Sequence, residues 1–266
     1  MARLSVWALA FALQVPLVYA QESPTDRLQV KPPIIQPMTV PSANATAEEL
    51  ERQGDRLREQ KLFFDALDFY RAALRKDPDS AKLNNKAGMS ELQGERVGES
   101  VHYFQRAIKL DPKMAAAHNN LGAARYEERK YGGAAKEYKK AIKLEDDASF
   151  YSNLGAVYFS EKKWAQANEA YGHALQLDPD LFLRPSRFGI AAQMSSPQDR
   201  ARFQYVLAKL YAKSGDSDRA LLCLRRAMEN GYKEINAVYK DEEFANLRKN
   251  PRFAELMANR PAALPN

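Results

Sequence analysis

The chain of 266 residues holds a single cysteine, Cys223, so no disulfide can form within it. A chain of this size without disulfides depends on core packing for its stability. Cys223 lies in "ALLCLRRA" between Leu222 and Leu224, the setting of a buried small hydrophobe rather than a reactive thiol. Histidine is almost as scarce, with only His102, His118 and His173. No pair of them has the spacing of a helical metal site, so neither a metal nor a cofactor is expected. Nucleophile elbows, phosphate-binding glycine loops and dinucleotide fingerprints are also missing. The string "SEKK" at Ser160–Lys163 matches S-x-x-K, but it falls in a turn and lacks the motifs that accompany it in acyl-transfer enzymes. Together these absences argue against an enzyme.

A dense block of one charge is absent as well. The 40 basic and 34 acidic residues are interspersed, leaving a net charge of +6. That excludes a nucleic-acid-binding arm and mildly favours anionic protein, peptide or membrane-surface partners. Long apolar runs are confined to the start. "MARLSVWALAFALQVPLVYA" has Arg3, an apolar stretch and the small-residue ending before Gln21 that mark a secretory signal peptide over residues 1–20. Gln14 and Pro16 interrupt it as a membrane span, although an uncleaved anchor is the alternative. No cysteine stands at the cleavage point for a lipid anchor. The expectation is an exported protein, periplasmic or secreted.

What the chain does contain is repetition. Residues 21–46 form a proline-rich stretch with no hydrophobic period, which predicts a disordered tether. From residue 47 a period of 34 takes over and runs to residue 180, shortened once by a residue. Glycine recurs at Gly54, Gly88, Gly122 and Gly155, and small residues follow at Ala66, Ser100, Ala134 and Ala167. An aromatic comes next at Tyr70, Phe104, Tyr138 and Tyr171, then alanine at Ala73, Ala107, Ala141 and Ala174. Asp-Pro closes three of the four units, at Pro78, Pro112 and Pro179. Each unit reads as two amphipathic helices, with small residues at their crossing and Asp-Pro stopping the second. One such hairpin cannot bury its own apolar face, so neighbours must stack.

Residues 181–198 break the period and predict a loop insertion, with Ser196, Pro197 and Asp199 at the start of the next helix. A degenerate fifth unit follows over 199–232, with Ala208, Ala220, Leu224 and Ala227 in the repeating positions. Residues 233–266 predict short helices capping the last apolar face, then a tail.

These coincident positions resemble the tetratricopeptide repeat family. The resemblance implies an all-α, right-handed superhelical solenoid of antiparallel helix pairs, acting as a non-enzymatic scaffold. It places the first helix of each pair on a concave groove, where Asn85, Lys86, Asn119, Asn120, Tyr126, Asn153 and Phe159 would meet an extended peptide or partner protein. The carboxylate-clamp pattern of some members fails here, with Met89 and Ser149 at two of its positions. On the second helices, Lys136, Lys139, Lys140 and Lys143 would form a basic outer face. Self-association or docking on an anionic membrane surface through that face is the alternative.

Overall fold

The structure is a computed structural model, and it describes residues 40–184 and 196–264. The predicted signal segment over 1–20, the predicted tether up to residue 39 and residues 185–195 of the predicted insertion lie outside them. The described residues fall within one unit, Thr39–Asn266.

Among the described residues five helix hairpins follow one another. They are α1 (Ala47–Glu59) with α2 (Phe63–Lys76), α3 (Ala81–Gln93) with α4 (Val97–Leu110), and α5 (Ala115–Glu127) with α6 (Tyr131–Leu144). Then come α7 (Ala148–Ser160) with α8 (Trp164–Leu177), and α9 (Pro197–Lys213) with α10 (Ser217–Glu229). Three short 3-10 helices between Ile235 and Lys249 lead to α11 (Pro251–Ala258). No strand occurs among the described residues, and none of their helices is long and apolar enough to cross a membrane. The all-α solenoid is therefore the observed fold.

Local chemistry sets the helix starts. Thr46 opens α1 with a reciprocal capping box, accepting from the Glu49 amide while Glu49 accepts from the Thr46 amide. Ser80, Asp147, Ser196, Asp216 and Asn250 cap α3, α7, α9, α10 and α11 through their side chains. At the far ends of α2, α4 and α8, Asp77, Asp111 and Asp178 leave the helical region ahead of proline.

The first helix of each hairpin ends in a left-handed turn that the sequence does not advertise. Lys61, Glu95, Arg129 and Lys162 have φ between 59° and 65°, and Gly215 has φ 85°. After each, the next amide reaches back to close the turn, as Leu62 does on Leu57 and Lys130 on Arg125. Only the fifth hairpin uses glycine at this place.

The repeating small and aromatic positions build the core. Ala66, Ser100, Ala134, Ala167 and Ala220 are buried at the helix crossings, and Tyr70, Phe104, Tyr138, Tyr171 and Leu224 are buried beside them. The glycines make room for those rings, since a methyl group at Gly54, Gly88 or Gly155 would lie 2.6 Å from the facing aromatic carbon. Phe182, within the predicted loop insertion, instead packs edge-on against Tyr171 and Phe203, with ring centres 5.5 and 5.6 Å away. Phe244, Leu247, Phe253, Leu256 and Met257 continue this core beyond α10. They keep the last hairpin's apolar face out of water.

Candidate functional site

The first helices of the second to fourth hairpins, with Arg58, Val97 and Tyr138 from neighbouring helices, line a recess of about 790 Å³. Met89, Leu92, Val97, Ala123 and Ala156 supply aliphatic surface to it, and Tyr126 an aromatic ring. Asn119, Asn120 and Asn153 lie in its wall.

Their amides are not left open. Asn153 donates to Asn119 Oδ1 at 2.9 Å, Asn119 to Asn120 Oδ1 at 3.4 Å, and Asn120 to Asn85 Oδ1 at 3.0 Å. This chain of amides crosses three hairpins, α3, α5 and α7. It fixes the orientation of each side chain, because every carbonyl in the middle of the row already accepts a donor. Each amide NH2 retains a second hydrogen, so donors to a peptide carbonyl remain while much of the acceptor capacity is used. The first partners of these amides are thus one another.

Two further residues are placed differently from the groove expectation. Lys86 is held by α1, with its ammonium bonded to Glu51 and lying 2.6 Å from Asp55 Oδ2. Lys82 joins the same cluster at 2.7 Å from Glu51. Burial pushes both carboxyls upward, but hydrogen bonds from Lys86, with Lys82 on Glu51 and Tyr70 on Asp55, hold them below the ordinary carboxylate range. Lys86 therefore ties the second hairpin to the first. Phe159 is the other case, only 5% exposed, with Trp164 and Phe203 against its ring. It is a core residue that shows one edge to a recess. Tyr126 is the residue at the centre of the site: its hydroxyl hydrogen-bonds Ser160 at 2.7 Å and its ring lies 5.4 Å from Tyr131. Burial raises its phenol above the usual value.

On α6, Lys136, Lys139, Lys140 and Lys143 are all exposed. Lys140 pairs with Glu137 at 2.9 Å and Lys139 lies 5.7 Å from the Tyr158 ring centre. Lys136 and Lys143 meet no carboxylate among the described residues.

The remaining titratable groups have structural surroundings. His118 is buried, with Nδ1 2.7 Å from Glu137 and Nε2 3.2 Å from the Pro112 carbonyl, joining α5 to α6 and to the preceding turn. His102 and His173 are exposed on α4 and α8. Among the described residues no group of three or more His, Cys, Asp or Glu could hold a metal ion. Burial pushes the Cys223 thiol up to about 12.

Stacked helix hairpins joined by tight turns, with a recess lined by successive hairpins, define a helical repeat protein. Sequence profiles of the tetratricopeptide repeat match residues 85–149, 148–181 and 201–230, so these stretches carry tetratricopeptide repeats. The first hairpin lies outside those matches yet repeats the same glycine–tyrosine packing through Gly54 and Tyr70. No curated protein matches the chain in sequence. Among solved structures it is similar to a crystal structure of MamA protein, at 22% identity over 74% of this chain and 95% of that one, with a TM-score of 0.49. The first TPR of Spaghetti (RPAP3) bound to the HSP90 peptide SRMEEVD is 20% identical over 44% of this chain and 93% of that one, at a TM-score of 0.42. The Sgt2 TPR domain from Aspergillus fumigatus is 22% identical over 50% and 87%, at 0.41.

Proposed function

We propose that this protein is a non-catalytic scaffold that holds an extended segment of a partner protein in the concave groove, and that it does so in the cell envelope. The observation that carries the reading is the recess of about 790 Å³ bridging three successive hairpins. Its aliphatic floor takes up apolar side chains, and the row of oriented amides presents N–H donors to a backbone lying across it. An extended peptide suits this arrangement better than a compact small molecule, because the donors follow one another from α3 to α7. The envelope location rests on the signal-like first twenty residues. The alternative reading, self-association or docking on an anionic membrane through the outer face, draws on the exposed Lys136 and Lys143.

A photo-crosslinking amino acid at Ala123, compared with one at Lys143, separates the two. Capture of a defined partner segment from Ala123 alone supports the groove. Capture from Lys143 alone would replace it with the outer face.

A further inference from the structure

His118 is the buried histidine of the three, 5% exposed, and both of its ring nitrogens meet oxygen. Nδ1 lies 2.7 Å from Glu137 Oε2 on α6, and Nε2 lies 3.2 Å from the carbonyl of Pro112 in the turn before α5. A peptide carbonyl can only accept, and so can an ionised carboxylate. Burial raises the Glu137 carboxyl, but hydrogen bonds from Lys140 and His118 hold it below the ordinary carboxylate range, so it is ionised at neutral pH. A neutral imidazole carries one N–H and one lone pair. Whichever tautomer formed, one nitrogen would turn its lone pair towards an acceptor. Only the imidazolium donates to both.

The surroundings compensate that charge. On α6, Lys140 shares Glu137, lying 2.9 and 3.2 Å from its two oxygens. Asp111 and Lys113 flank Pro112 in the turn, and Asp111 Oδ1 accepts from the Lys113 amide at 2.9 Å. From α4, Arg106 pairs with Asp79 at 2.8 Å and Lys109 is exposed. At the starts of α3 and α7 the charged groups are engaged locally, Lys82 with Glu51 and Asp147 with the Ser149 amide. Glu137 is thus the carboxylate that meets the ring, with Lys140 as the second cation on it. In the second hairpin the place of His118 is taken by Asn84, which is buried and donates to the Ser80 carbonyl at 2.9 Å. That hairpin bridges α3 to its preceding turn with a group that does not titrate.

We propose that His118 stands as a buried imidazolium and is a positioning residue for α5, holding that helix to Pro112 and to α6 until rising pH removes its second proton. Asn119 and Asn120 follow it directly, and Ala123 and Tyr126 lie further along the same helix. The recess wall in the third hairpin therefore depends on one protonation state. Neutral His118 keeps one of the two bonds and loses the other. Its full contribution is present where histidine is ordinarily charged, below about pH 6.5, and is lost as pH climbs above that range. This device belongs to how the recess is built, and it operates whether or not a peptide lies there.

Long-range proton–nitrogen NMR on the full chain at about pH 7.5 distinguishes the two forms, with the exposed His102 and His173 as internal references. Expected is a His118 ring with both nitrogens protonated while the other two rings show the neutral pattern. Amide hydrogen exchange between about pH 6 and about pH 9 then reads the positioning role. Amides of α5 are compared with those of α3 in the same sample, which cancels the intrinsic effect of hydroxide. The α5-to-α3 ratio should rise about fivefold or more as His118 loses its second proton. His118→Asn, which copies Asn84, should hold that ratio level. A His118 ring that is neutral alongside His102 and His173 overturns the imidazolium. A ratio that stays level in the parent protein, or that rises equally in His118→Asn, overturns the positioning role.

Discussion

A methyl group placed on Gly122 would lie 2.7 Å from Cε1 of Tyr138, the ring that crosses it from the partner helix. The same relationship joins Gly54 to Tyr70, Gly88 to Phe104 and Gly155 to Tyr171. The fifth hairpin solves the problem in reverse, with Ala208 facing Leu224, both fully buried. Gly122→Ala should therefore destabilise the protein by about 1–3 kcal/mol through overpacking. Adding Tyr138→Leu should recover part of that loss, with a favourable coupling of about 1 kcal/mol in a double-mutant cycle. Denaturant unfolding of the four proteins measures it, and additive effects would refute the size-matching account.

The left-handed turns give an opposite expectation for adding glycine. Lys61 holds φ 64° at the end of α1, where a side chain costs about 1–2 kcal/mol. Lys61→Gly should stabilise the protein by about 0.5–1 kcal/mol, after the greater freedom of glycine in the unfolded chain is subtracted. Gly215→Ala, at φ 85°, should destabilise it by about 1 kcal/mol. Thermal unfolding of both variants checks the signs.

The cluster of Glu51, Asp55, Lys82 and Lys86 predicts a pH dependence. Both carboxyls titrate below their ordinary values in the folded protein. Their stabilisation is complete above the unfolded carboxylate range of about 4 and is lost as pH falls through the lower folded values. Lys86→Met should cost about 1–3 kcal/mol near neutral pH, since it removes hydrogen bonds to two part-buried carboxylates. That difference from the parent protein should shrink below about pH 4. A gap constant across the titration would contradict the ion-pair account.

Asn119 occupies the middle of the amide row, donating to Asn120 and accepting from Asn153. Asn119→Ala should lower stability by about 1–2 kcal/mol even without a partner, because it leaves its neighbours' groups unmatched. Ala123→Trp should instead abolish partner capture while leaving the melting temperature nearly unchanged, as Ala123 lines open space. Measuring capture and melting together on both variants distinguishes groove binding from groove architecture.

Much of the architecture was legible because its determinants lie within one repeat. A period of about 34, with Gly122 sixteen residues before Tyr138 and Asp111 ahead of Pro112, encodes two helices, their crossing and their stop. Ser196 and Pro197 announced the start of α9 for the same reason. Less of the groove was legible. Asn119, Asn120 and Asn153 line the recess, but their bonding to one another had no signal in the sequence.

The sequence by itself determined the hairpins, their aromatic-on-glycine packing and the stacking that follows, because helix period, side-chain size and proline act over a few turns of chain. Only the tertiary structure decided which polar groups remain for a partner. Lys86 meets Glu51 across 35 residues, Asn153 meets Asn119 across 34, and Arg202 meets Trp164 from the next hairpin. Such pairings depend on how one hairpin is set against the next.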